Sequence, residues 1–343
     1  MTQTPWPGIT VRNSMSEGGT TPRPATSNSP DILISGDLPY ENPSFLTELA
    51  NYGTYYPNKL KIGGVNYLYI RGRNYTGAEL KGKWTLYFAE PNILLYPYLW
   101  ERNQLATSQS VKNPDFTIGA GAIGASTDAF RWIPPDVQDH YCLIAIAETE
   151  GHGNPLAGVS NVNGLAETLA NNANIAQRNV QMIRGTQPQQ IMNARYNQGS
   201  EAARMDLSFV FENIPLKSSF RASSGTLLNG RALQLENKET TNFDFKQSLI
   251  NLDFPANWNS LFTVELKLGS QFPPTGTPSV EIRGEIITDS AHPLYHLGIP
   301  ADPDPKTGAI RMAADGGPVR VVRVGSVKGN FYEANPNVKL VIK

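Results

Sequence analysis

Polar and apolar residues alternate with a period of two along much of this chain. In "LFTVELKLGSQF" Phe262, Val264, Leu266 and Leu268 alternate with Thr263, Glu265 and Lys267, and in "SVEIRGEIIT" Val280, Ile282 and Ile286 alternate with Glu281, Arg283 and Glu285. Successive strand residues point to opposite faces, so each segment predicts a strand buried on one side. The period recurs with Val65, Tyr67 and Tyr69 in "VNYLYIRGRN" and with Trp84, Leu86 and Phe88 in "KWTLYFAE". The Gly-punctuated "RNYTGAELKG" between them predicts a hairpin turn. "FRWIPP" predicts a strand ended by its proline pair, and "HYCLIAIAET", His140 to Thr149, a strand apolar throughout. "PVRVVRVGSV" and "NVKLVIK" predict a final hairpin, reached through the Pro-rich "HPLYHLGIPADPDPKTG".

One segment reads differently. "NGLAETLANNANIAQRNVQMI" places Leu165, Leu169 and Ile175 on one helical stripe, and Asn171, Asn172 and Asn174 weaken its middle. It predicts a short helix bridging two units, then a strand from Ala176 to Ile183. Residues 1–29 are crowded with Thr, Ser, Pro, Gly and Asn, the composition of an extended or disordered arm, with Trp6, Ile9 and Val11 as apolar anchors that could order it on a neighbouring subunit. A parallel α/β sheet would need helical patterns between strands, and these are absent. The expected organisation is an arm over 1–29, a β-sandwich over 30–150, a linker with a short helix over 151–174, and a second β-sandwich with a C-terminal hairpin over 175–343.

Taken together, "PDILIS", "VNYLYIRGRNYTGAELKGKWTLYFAEP", "FRWIPP", "HYCLIAIAE" and "NNANIAQRNVQMI" resemble the immunoglobulin-like β-sandwich modules of bacterial surface, secreted and large-assembly proteins, adhesion-type modules that also occur as accessory domains of proteases. The resemblance covers residues 30 to 184, and the remainder matches only in being β-rich. It makes the expected fold class all-β, with two tandem immunoglobulin-like β-sandwich domains and an extended N-terminal arm. It implies scaffolding without naming a partner. Cys142 is the single cysteine, so no disulfide joins the sheets, and Trp132 and Cys142 are expected to be packing residues.

Composition narrows the partners. Charged residues make up 17% of the chain, and 29 basic against 30 acidic residues leave a net charge of -1, so nothing recruits nucleic acid or an anionic membrane electrostatically. No apolar run is long enough to span a bilayer. The N-terminus lacks the pattern of a secretory signal peptide, which implies a cytoplasmic protein or export by another route.

Candidate chemistry is sparse. Gly119, Gly121 and Gly124 spell G-x-G-x-x-G, but Pro134 and Pro135 follow too soon for the helix that would present backbone N–H groups to a pyrophosphate, so a small-residue loop is expected and no cofactor. His140 and Cys142 share a strand face with Ile144 and Ile146, apolar surroundings in which a thiol is inert. His152, His292 and His296 lack metal-ligand spacing. Asp302 to Gly308 begins like a calcium loop, but Lys306 stands where an oxygen ligand belongs. Glu148 and Glu150 pair at a strand end without a recognisable cleft, and Asn74-Tyr75-Thr76 spells a glycosylation sequon. Tyr96, Tyr98 and Trp100 alternate in "NILLYPYLWERN", either as a stacking platform for sugar rings or a protein partner, or as packing over the end of a sandwich. The expectation is a non-enzymatic structural or adhesive subunit that self-associates into a homo-oligomer through β edges and the arm. The alternative is a carbohydrate- or cell-surface-binding module, or toxin component, that uses the aromatic loop.

Overall fold

A computed structural model describes residues 3–56, 60–61, 63–134, 140–181, 189–273 and 275–331. In chain order its first strands are β1 (Thr4–Pro5), β2 (Ile9–Thr10), β3 (Thr20–Thr21), β4 (Ile32–Gly36), β5 (Asn66–Asn74), β6 (Leu80–Ala89), β7 (Ala106–Thr107) and β8 (Asp115–Ile118). Then come β9 (Ile123–Ala125), β10 (Phe130–Trp132), β11 (His140–Thr149), β12 (Ile175–Gln181), β13 (Gln189–Asn197), β14 (Ala203–Glu212) and β15 (Ser219–Ser224). The last are β16 (Gln234–Asn237), β17 (Phe245–Phe254), β18 (Asn259–Lys267), β19 (Ser279–Thr288), β20 (Ile299–Pro300) and β21 (Arg320–Asn330). Two α-helices interrupt them, α1 (Leu49–Tyr52) and α2 (Val162–Asn171).

The chain is all-β and forms two sandwiches. In the first, β5 is the hub of one sheet, pairing with β2, β4, β9 and β10, and the facing sheet has the order β12-β11-β6-β8. Ile9, Ile32, Leu68, Ile70, Trp84, Leu86, Phe130 and Leu143 fill the space between them. The second pairs β13-β18-β15-β16 with β17-β14-β19-β21-β20. The period of two holds as expected in β18, where Ser260, Phe262, Val264 and Leu266 are buried and the residues between them face outward.

Two boundaries differ from those expected. The strand after α2, placed by sequence in the second sandwich, pairs antiparallel with β11 and completes the first, with Ile146 opposite Ile175 and Leu143 opposite Arg178. The segment "PVRVVRVGSV" contributes β21, which pairs with β19, and its expected hairpin partner, residues 337–343, lies outside the described residues. The arm is ordered on its own chain: β2 pairs with β5, and the Val11 N–H donates to the Ala173 carbonyl at 2.8 Å.

Helix α2 forms where the pattern predicts it. The Asn161 side chain accepts the Gly164 N–H at 2.7 Å as its N-cap, and Val162, Leu165, Ala166, Leu169 and Ala170 form one buried stripe.

Candidate functional site

The two sandwiches meet across β11, and this junction organises the molecule. Its continuous apolar run has a reason: Leu143, Ala145 and Ala147 point into the first core, while Cys142, Ile144 and Ile146 point the other way, into a core continuous with the second sandwich. A strand buried on both faces needs no polar side, which is why alternation is missing there. Helix α2 lays its apolar stripe in that shared core, together with Tyr87 of β6.

Residues 91–100 are the second connector. The Ile93 N–H donates to the Arg195 carbonyl and the Arg195 N–H to the Pro91 carbonyl, both at 2.9 Å, so this segment pairs with β13. Ile93 and Leu94 are fully buried against the second sandwich, where Gly284 and Gly325 leave room for them. A Cβ on Gly325 would stand 1.9 Å from the Ile93 carbonyl oxygen.

This placement corrects the aromatic platform. Tyr96 and Trp100 are 0% and 1% exposed, and only Tyr98, at 51%, faces solvent. Pro97 opens a 3-10 turn over Pro97–Leu99, so the alternation expected of a strand does not apply and the turn carries Tyr96 and Trp100 inward. The Tyr96 hydroxyl donates to the Gln198 carbonyl at 2.7 Å, and the Trp100 indole donates to the Leu95 carbonyl at 3.1 Å. Burial pushes the Tyr96 phenol well above its ordinary pKa.

The arm anchors are corrected in the same way. Ile9 and Val11 are 0% exposed in the first core, and Trp6 is buried with its ring 4.8 Å from that of His152. The physical reason lies in polar residues that composition does not reveal. Asp31, fully buried, accepts from Arg12 at 2.7 Å and Arg71 at 2.9 Å, and Arg12 stacks over the Tyr52 ring at 3.5 Å. Both guanidiniums reach backbone carbonyls near α1, Arg12 at Tyr52 and Arg71 at Asn51. Arg23 donates to the Val11 carbonyl and to Glu17, each at 2.9 Å, and also to the Ile175 carbonyl. Sequence reasoning missed this set. Its available signal was Arg71, at the end of the apolar run from Tyr67 to Ile70.

The arm then crosses the junction. Ser27 and Ser326 of β21 share a hydroxyl hydrogen bond of 2.6 Å, and the Asn179 side chain of β12 donates to Ser27 at 2.9 Å. The Cys142 thiol, fully buried, donates to Asn179 Oδ1 at 3.0 Å; the His140 side chain lies outside the described residues.

The remaining motifs serve local structure. Gly119 and Gly121 lie in the turn between β8 and β9, Gly121 at φ 69°, and Gly124 sits in β9, so a strand and not a helix follows. Asn74 is fully buried: its amide donates to the carbonyls of Ala78 and Ile118, and its Oδ1 accepts the Thr76 N–H at 2.9 Å. The sequon asparagine is therefore committed to packing. Glu148 accepts the Thr85 hydroxyl at 3.0 Å. In the Asp302 to Gly308 loop, Asp304 accepts the N–H groups of Lys306 at 2.8 Å and Thr307 at 3.1 Å, which pull its carboxyl below the ordinary range. Among the described residues no group of three or more His, Cys, Asp or Glu is placed to hold a metal, and no helix is long and apolar enough to cross a membrane.

No protein-family model matches the chain, and no curated protein matches it. Among solved structures it is similar to the crystal structure of red sea bream transglutaminase, at 12% identity and a TM-score of 0.22, over 66% of this chain and 27% of that one. The chain thus spans about a quarter of the length of that enzyme's chain (27%), and a likeness at this level carries no argument about activity.

Proposed function

We propose that this chain is a non-enzymatic structural subunit, in which arm, helix and both sandwiches act as one rigid block, and that copies of it self-associate into a homo-oligomer through a sheet edge. The observation that supports it best is the two-sided burial of β11, which joins the two sandwiches through a shared core rather than a linker. The residues singled out for chemistry in the sequence are spent on packing: Cys142, Glu148, Tyr96 and Trp100 each hold a local hydrogen bond. With Tyr98 alone exposed, a three-ring stacking surface for sugars is not presented.

The arm contacts its own sandwich, so the edge strand β17 is the better route to a second copy. Among the described residues β17 pairs on one side only, with β14. A groove of about 810 Å³ runs beside it, where Leu249, Ile250 and Pro303 alternate with charged Lys246, Asp302 and Lys306. An open edge beside a groove of mixed apolar and charged side chains can accept another strand through backbone pairing.

Sedimentation velocity tests this. The wild type should shift toward larger species as concentration rises to about 100 μM, and Ile250→Lys, which puts a charge on that edge, should abolish the shift. A wild type that stays at its 37.6 kDa monomer mass throughout would contradict self-association.

A further inference from the structure

A cavity of about 370 Å³ lies where the arm approaches the second sandwich. Pro24, Ala170, Leu297 and Val322 supply apolar wall, and two guanidiniums, Arg23 and Arg323, line it as well. The two cations differ. Arg23 is ion-paired with Glu17 at 2.9 Å. Arg323 has no carboxylate within 4 Å among the described residues, and the buried Nε of both arginines lacks a hydrogen-bond partner.

The carboxylates near Arg323 are engaged elsewhere. Glu281 is held by Arg283 at 2.6 Å, and Glu285 accepts the Ser208 hydroxyl at 2.7 Å and lies 3.7 Å from Lys246. Burial lowers the Arg323 pKa and neighbouring Arg283 lowers it further, while the charges of Glu281 and Glu285 oppose them. A guanidinium stays charged in proteins, so a partly buried one without a counter-ion is costly unless something occupies its donors. Its planar fork matches a carboxylate. A guanidinium that lines apolar walls and forms no direct ion pair favours a ligand with a carboxylate and an apolar body, and a boundary between domains is where such sites occur.

We propose that this cavity binds a small monocarboxylate, its carboxylate on Arg323 and its apolar body between the arm and β21. The site lies within one chain, away from the β17 edge, so it fills equally in a monomer and does not depend on self-association.

Octanoate serves as the probe and octanamide as its neutral counterpart, each titrated calorimetrically into the full-length protein at neutral pH. Octanoate should saturate one site per chain and bind at least about tenfold more tightly than octanamide, the factor expected of a hydrogen bond to a charged group. Arg323→Gln should remove that preference by weakening octanoate about tenfold while leaving octanamide unchanged. Should the variant not fold, the two probes on the wild type still decide. Equal affinities for octanoate and octanamide, an Arg323→Gln variant that keeps the preference, or no saturable octanoate binding below about 10 mM would each overturn the proposal.

Discussion

Substituting Gly325 by alanine puts the junction under direct test. The added Cβ would lie 1.9 Å from the Ile93 carbonyl oxygen and 3.1 Å from its carbonyl carbon, so backbone must move. Ile93 is poorly placed to yield, because its N–H is bonded to Arg195 and its side chain is fully buried. Withdrawal of the segment would expose Ile93 and Leu94 at about 1.5–3 kcal/mol each, which makes it the dearer escape. Local distortion of an overpacked site costs about 1–3 kcal/mol, and replacing a strand glycine returns about 0.5–1 kcal/mol, so a net loss of about 1–1.5 kcal/mol is expected. Urea denaturation of the variant, beside Gly119→Ala where no atom lies within 4 Å of the new Cβ, measures it. The control should stay within about 0.5 kcal/mol of wild type, as surface changes do. A Gly325→Ala variant equally close to wild type would refute the close approach of residues 91–94 to β21.

Other consequences follow from the same contacts. Asp31→Ala leaves Arg12 and Arg71 buried without their shared carboxylate and should cost about 3–5 kcal/mol in denaturant unfolding, a loss below about 1 kcal/mol arguing against the network. A chain beginning at Pro30 lacks Ile9 and Val11, so its first sandwich should lose near-UV circular dichroism or precipitate; a stable, native-like truncation would show that the arm is dispensable. His292 accepts the Leu294 N–H on Nδ1 at 3.1 Å, and burial lowers its pKa, with Asp289 opposing. A base with a depressed folded pKa contributes stability that is complete above its unfolded value of 6.5 and lost as pH falls through the folded value. Melting temperatures of His292→Asn should therefore fall less than those of wild type between about pH 7 and 5, and equal slopes would contradict this.

Much of this fold was legible in the chain. β18 and β19 stand where Phe262, Val264 and Leu266, or Val280 and Ile282, alternate with charges, and α2 stands where Leu165 and Leu169 share a stripe. The apolar run of β11 was visible as a strand, but that its two faces serve two sandwiches depends on contacts distant in sequence. The arm was misread because Ser, Thr, Pro and Gly report a lack of core residues, whereas its order comes from Ile9, Val11 and the buried pairs at Asp31 and Glu17. The aromatic loop allowed two readings, and the burial of Tyr96 and Trp100 behind the Pro97 turn selects packing over the stacking platform. The Arg323 cavity leaves no local pattern, since Pro24, Ala170 and Val322 meet only in the fold.

A structural subunit that works as one block must unfold as one. Differential scanning calorimetry of the full-length protein measures this, through the number of transitions and the ratio of calorimetric to van't Hoff enthalpy. The shared core predicts a single transition with a ratio near one. Two separated transitions, one per sandwich, would contradict the claim that β11, α2 and residues 91–100 make the two sandwiches a single rigid unit.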